Sequence, residues 1–329
     1  MTTLKELKGT RVQSLASDPS NPVEGQIWYN TTSNNFKVSK LVTAGAWSSG
    51  GNLVNARNKL SGAGTQTAGL AFGGENAGTK DLTEEYDGSA WTAGGAMGTG
   101  RYGLGGAGTQ TAALAISGYN GDTGIYTTAS EEYDGSAWTA GGTMIAGRQY
   151  LAGTGTQTAG LAFGGMDGDF TFISAAEEYD GSAWTTGGTL GTARRYISGA
   201  GTQTAGIGFG GQDFGSSTGA TEEYDGSSWT AGGTMGTARN KMGGDGIQTA
   251  ALAFGGEPPP GLSTASTEEY DGSAWTAGGT MGTARDGLGG AGTQTAAIGF
   301  GGDTNGSAEL NATEEYNSPS ITISTLTTS

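Results

Sequence analysis

GTQTAGLAFGG at residues 64–74, followed at residues 84–91 by EEYDGSAW, is the stretch whose reading decides the fold. GTQTA starts again at Gly108, Gly155, Gly201 and Gly292, with a GIQTA variant at Gly246. EEY starts at Glu84, Glu131, Glu177, Glu222, Glu268 and Glu314, and successive copies of either motif lie 44 to 47 residues apart. A fixed period in that range marks a repeat architecture in which each unit buries its apolar face against the next.

Within one unit the pattern is that of short strands. In the second unit, residues 101–107 read as a first strand, 108–110 as a turn and 111–116 as a second strand. Along that second strand Ala112, Leu114 and Ile116 share one face, with small residues opposite. Glu131-Glu132-Tyr133 reads as a third strand, Asp134-Gly135 as a two-residue hairpin turn, and residues 136–140 as a fourth. Four antiparallel strands, six times over, predict an all-β, six-bladed β-propeller. The last unit ends at Asn317-Ser318-Pro319 without a DGSAW strand, whereas Ala46-Trp47 stands alone ahead of the first complete unit. Residues 45–54 are therefore expected to complete the last blade and close the ring, which removes the open edges. The domain reading is an N-terminal arm with a small β-hairpin over 1–43, the propeller over 44–316 and a tail over 317–329 that offers an extra strand.

Composition narrows the function. The 329 residues include 67 glycines, no cysteine and no histidine, and carry a net charge of −16. Disulfides, Cys/His metal sites and histidine-based triads are excluded, and no cofactor or metal is expected. The acid excess opposes binding to a nucleic-acid backbone, and no apolar run is long enough to insert in a membrane. The start of the chain does not read as a signal peptide.

The unit, Arg239 … Phe254-Gly255-Gly256 … Glu268-Glu269-Tyr270-Asp271 … Trp275, resembles the kelch repeat, with one departure at Ser117-Gly118 where the double glycine belongs. The resemblance spans residues 45–316 and implies a propeller, but little chemistry. Residues 9–38, centred on Gly25-Gln26-Ile27-Trp28-Tyr29-Asn30, resemble an N-terminal segment of structural proteins of tailed bacteriophages. That resemblance implies a non-enzymatic virion protein of a tail fibre, baseplate or surface decoration. Residues 1–43, with Ile27, Trp28, Tyr29 and Phe36, would attach to other virion proteins or self-associate.

The GTQ and DGS turns hardly vary between copies, whereas the segments 75–83, 119–130, 166–176, 212–221, 257–267 and 303–313 do. Their Tyr119, Asn120, Tyr126, Phe170, Phe172 and Phe214 are the candidate ligand-binding residues, suited to stacking on a host-surface glycan. The alternative for each is local packing. Arg57, Arg101, Arg148, Arg194, Arg239 and Arg285 form a ring by symmetry, read as structural partners of the EE pairs. Asp167 and Asp169 are a weak calcium-like fragment. Two other classes stay open: a carboxylate-based glycan hydrolase or lyase, and a protein-scaffolding adaptor. The enzyme would show an asymmetric acid cluster at one channel mouth, because six identical EE pairs point to architecture.

Overall fold

The computed structural model describes residues 12–20, 26–41, 45–305, 308–318 and 321–325. The chain divides into two compact units, one of residues 1–45 with 318–329 and one of residues 46–317. Residues 1–11, Pro22 and Leu326 lie outside the described residues.

In the smaller unit the strands Gln13–Leu15, Ile27–Asn30, Asn35–Leu41 and Ile321–Thr325 form one sheet in that order. The first pair is parallel; the others are antiparallel, with Tyr29 opposite Phe36 and Leu41 opposite Ile321. The hairpin and the tail therefore belong to the same sheet.

The larger unit holds six antiparallel four-stranded sheets among its described residues. The second sheet is typical: Gly105–Thr109, Ala112–Ile116, Ser130–Tyr133 and Trp138–Ala140. The first strand starts later than the sequence pattern suggests. Gly103 takes a left-handed φ of 62°, which breaks the extended run, so Arg101 precedes the strand. The Asp-Gly turn also differs from the expected two-residue hairpin. Tyr133 pairs with Trp138 across a four-residue loop. Asp134 Oδ1 organises that loop by accepting the N–H groups of Ser136 and Ala137, each at 2.8 Å. Those bonds, led by Ala137, hold the Asp134 carboxyl below its ordinary pKa.

The sixth sheet consists of Gly289–Thr293, Ala296–Phe300, Thr313–Asn317 and Ala46–Ser49. Tyr316 lies opposite Trp47 and Asn317 opposite Ala46. This N-terminal strand is shorter than the span 45–54, because Gly50 and Gly51 leave the sheet. A Cβ on Gly51 would sit 2.1 Å from the Ser89 carbonyl oxygen.

Second strands are buried on both faces and join consecutive sheets through a large-on-small rule. Leu114 and Ile116 pack with Ala162, Tyr179 and Trp184 of the third sheet, while Ala113 and Ala115 receive Leu70 and Phe72 of the first. The same rule joins the sixth sheet to the first, where Ile298 and Phe300 meet Ala71, Tyr86 and Trp91. The motif's polar residues fasten each seam. Gln110 Nε2 donates to the carbonyls of Gly69 (3.0 Å) and Tyr86 (2.7 Å), and Tyr133 OH donates to Glu85 Oε1 at 2.5 Å. Trp138 Nε1 donates to Thr83 Oγ1 at 2.8 Å. Each such bond contributes roughly 1 kcal/mol net. The seam onto the third sheet lacks one of them. Ala176 stands where the other sheets carry Thr or Ser, and Trp229 Nε1 is buried without a partner.

Candidate functional site

The glutamates of each EE pair have separate duties. The first is paired with the arginine of its own repeat: Arg57 with Glu84 (3.3 Å), Arg101 with Glu131 (3.0 Å), Arg148 with Glu177, Arg194 with Glu222 (2.7 Å), Arg239 with Glu268 (3.1 Å) and Arg285 with Glu314 (3.1 Å). The second takes the tyrosine hydroxyl of the next sheet, as Glu132 does from Tyr179 at 2.6 Å. All six arginines are fully buried, and burial pushes the Arg57 guanidinium down to about 10 against the opposing pull of Glu84. A sealed group already neutralised by its own sheet has no face for a ligand.

Asymmetry appears two residues after each of these arginines. Lys59, Gly103, Tyr150, Tyr196, Lys241 and Gly287 occupy equivalent positions, and all six have left-handed backbones with φ between 51° and 62°. Each N–H donates to the carbonyl of the preceding member: Gly103 to Lys59 (2.9 Å), Tyr150 to Gly103 (2.6 Å), Tyr196 to Tyr150 (2.8 Å), Lys241 to Tyr196 (3.3 Å), Gly287 to Lys241 (2.9 Å) and Lys59 to Gly287 (2.7 Å). The six residues thus form a closed cycle of backbone hydrogen bonds. Together with the apolar residues that follow them, they line a recess of about 90 Å³. The six first strands line a second, larger cavity of about 240 Å³.

Four members of the cycle carry bulky side chains where two sisters have glycine. A non-glycine residue held there costs of order 1 kcal/mol, and such positions gather at functional sites. The side chains make a graded surface. Tyr150 and Tyr196 lie 4.0 Å apart between ring centroids, and Tyr102 is 6.5 Å from Tyr150. Tyr102 also meets Tyr119 edge-on at 5.4 Å, and Tyr119 meets Tyr126 at 4.9 Å. Burial, then the charge of Glu75, raises the Tyr102 hydroxyl to about 12; burial and Tyr196 raise Tyr150 further. These phenols are neutral donors at physiological pH. Lys59 pairs with Glu75, and Lys241 pairs with Glu257 and lies 3.7 Å from Asp286. Burial pulls the Lys241 ammonium down, but its carboxylate partners outweigh it and the net shift is upward.

No protein-family model matches the chain, and no curated protein matches it. It is similar to the solved structure titled "Structure of YjhT", a β-propeller-type structure, with a TM-score of 0.69 and 13% identity over 83% of this chain and 99% of that one. The fold is of the β-propeller type. At that identity the likeness carries the fold alone.

Contacts tie four of the six candidate loop residues, Tyr119, Tyr126, Phe172 and Phe214, to this surface. Tyr119 and Tyr126 face each other across a short ribbon. Phe172 and Phe214, from consecutive loops, stack at 4.9 Å, and Arg195 lies 4.9 Å from Phe172 and 5.0 Å from Tyr196. Phe214 is 77% exposed and Phe170 is 70% exposed, the latter with a left-handed φ of 58°. Asn120 differs, because its Oδ1 accepts the N–H groups of Asp122 (3.0 Å) and Thr123 (3.1 Å) and so belongs to the turn. Asp167 Oδ1 is likewise engaged by the N–H groups of Asp169 (3.0 Å) and Thr171 (2.9 Å). No group of three or more metal-binding acids occurs among the described residues.

In the smaller unit Trp28 is fully buried, and its Nε1 donates to Asp18 Oδ1 at 3.0 Å. It is a core residue. Phe36 is 47% exposed and pairs with Tyr29 at 5.2 Å, while Ile27 is half-buried.

Proposed function

We propose that residues 46–317 form a six-bladed, kelch-like propeller, closed through Ala46–Ser49, that serves as a non-enzymatic binding module on a tailed-phage particle. Residues 1–43 attach the module to other virion proteins. The face carrying Tyr102, Tyr150 and Tyr196 engages a host-surface glycan. The observation that carries this reading is the retention of Tyr and Lys at strained backbone positions where Gly103 and Gly287 occupy the same geometry. Side chains kept against a backbone cost, and still partly exposed, have a use besides packing. Tyrosine faces stack on sugar rings with little entropy loss, and a phenol hydroxyl beside the ring supplies a hydrogen-bond donor. The closed hydrogen-bond cycle supports the six-bladed, closed arrangement.

One observation favours the enzymatic alternative. Asp286 and Asp303 are bridge partners at this end of the unit, where the other sheets have Asn58/Glu75, Tyr102/Tyr119, Gln149/Met166, Arg195/Gln212 and Asn240/Glu257. Burial raises the Asp286 carboxyl, as a general acid would require. Both carboxyls, however, are sealed at 4% and 6% exposure. Asp286 accepts Ser263 Oγ at 2.7 Å and Asp303 accepts Asn58 Nδ2 at 2.7 Å. A substrate has no open path to the pair, so the binding reading is preferred.

The test is adsorption of the purified full chain to host envelope polysaccharide, with released sugar assayed in parallel. Binding without release is expected; release of reducing ends contradicts the non-enzymatic reading. Particles assembled with a chain lacking residues 1–43 should lose the protein, and normal incorporation contradicts the attachment role.

A further inference from the structure

Arg195 is set apart from every other cation of this surface. It follows the buried Arg194 directly, at a position where the sister repeats have Asn58, Tyr102, Gln149, Asn240 and Asp286. The chain has 31 acidic and 15 basic residues, so an unanswered cation is unusual in it. Lys59 and Lys241 are matched by carboxylates. Arg195 has no carboxylate at ion-pair distance among the described residues. Its Nε donates to the neutral Oε1 of Gln212 at 2.9 Å, and Nη1 lies 3.2 Å from Met166 Sδ. The guanidinium stacks with Phe172 and Tyr196, and Phe172 in turn stacks with the exposed Phe214.

We propose that Arg195 reads an anionic group on the ligand, and that the ligand is an acidic glycan whose sugar rings carry carboxylates. The inference rests on the binding reading given above and deepens it. Three features carry it. The guanidinium is held by aromatic faces and a neutral amide, contacts that fix its plane without neutralising its charge. Its position beside Tyr196 puts the charge next to the recess that Tyr196 helps to line. The exposed Phe214 supplies an apolar face of the kind a pyranose ring covers, and one sugar residue presents both a ring face and a carboxylate. An arginine fork matches a carboxylate with two parallel hydrogen bonds. An acidic peptide is the competing occupant; it has the charge but no ring to cover an aromatic face.

The probe is oligogalacturonate, compared with its methyl ester, which keeps the rings and removes the charge. Titration calorimetry on the full chain at low salt should give binding of the acid form at least about tenfold tighter than the ester, the worth of one charge-assisted fork. Arg195→Gln should erase that preference, and Arg195→Lys should restore only part of it, because lysine keeps charge without the fork. Equal affinity for acid and ester overturns the inference. So does a preference that survives Arg195→Gln, no binding of the acid form, or equal competition by oligoglutamate. The binding reading fails separately, if adsorption to the host polysaccharide is absent or survives Tyr150→Gly with Tyr196→Gly. Acid and ester bound equally, and both lost in that double variant, would leave the site standing and remove only its charge preference.

Discussion

Replacing Asp245 with alanine should make the protein more stable, by an amount that grows with pH. Asp245 lies in the first strand of the fifth sheet, where the other sheets have Ala63, Ala107, Thr154, Ala200 and Ala291. The residue lines the larger cavity, but its Oδ2 is sealed off from solvent and has no hydrogen-bond partner. The threonine at this position solves the same problem, since Thr154 Oγ1 donates to the Gly201 carbonyl at 2.7 Å. A buried, unpartnered polar group costs about 1–3 kcal/mol. Alanine removes that cost and leaves no misfit, because Ala63, Ala107, Ala200 and Ala291 are already well packed in the equivalent place. Burial raises the Asp245 carboxyl well above its ordinary value, so the folded state favours the neutral acid. The sign follows from linkage. Below the unfolded-state pKa, near 4, both states hold the proton and the wild type is at its best. As pH rises from there toward the folded-state pKa, the unfolded chain releases the proton first and stability falls by up to about 1.4 kcal/mol per pH unit. The advantage of Asp245→Ala should therefore be about 1–3 kcal/mol at pH 4 and larger at pH 7. Urea titrations of both proteins between pH 4 and pH 8 measure it. A variant less stable than wild type, or two stability curves that run parallel across that range, would refute the reasoning.

Ala176→Thr should supply the acceptor that Trp229 Nε1 lacks and raise stability by about 1 kcal/mol, read as a shift in denaturation midpoint; no change would mean that this indole is satisfied another way. Arg101→Ala should cost about 3–5 kcal/mol, because it leaves the Glu131 carboxylate and the Ala129 carbonyl without their buried partner. Gly287→Ala isolates the backbone cost of the cycle, since a Cβ there meets nothing closer than 3.5 Å; calorimetric unfolding should show a loss of about 1 kcal/mol.

The scaffold was legible because it repeats. Arg101, Glu131, Glu132, Tyr133 and Trp138 recur at fixed spacing, and each meets a partner that recurs with it. The orphan Ala46-Trp47 was legible for the same reason, as a piece of the pattern out of place. The tyrosines of the hydrogen-bond cycle were not. Residues 101–107 look like one strand, and that reading hides the left-handed turn at residue 103 and its counterparts. A comparison of the position two residues after each arginine would have exposed it, since Lys, Gly, Tyr, Tyr, Lys and Gly share only a tolerance that geometry must enforce. Asp-Gly misled in a milder way. It usually signals a two-residue hairpin, but Asp134 uses its carboxylate to cap a four-residue loop. The Ser117 departure from the double glycine changed nothing, because Ser117 keeps the left-handed φ of 54° and its Oγ donates to the backbone.

The most direct test of the central claim, that recognition sits on the tyrosines of the cycle and the repeated motifs are scaffold, is a paired measurement on Tyr150→Gly with Tyr196→Gly. Glycine relieves about 1 kcal/mol of backbone cost at each site, while the rings give up their buried area and about 0.5–1.5 kcal/mol of mutual contact beyond it, so the variant should still unfold in one cooperative transition. Adsorption to host envelope polysaccharide should be lost in the same preparation. Adsorption at the wild-type level by a folded double variant would contradict the account.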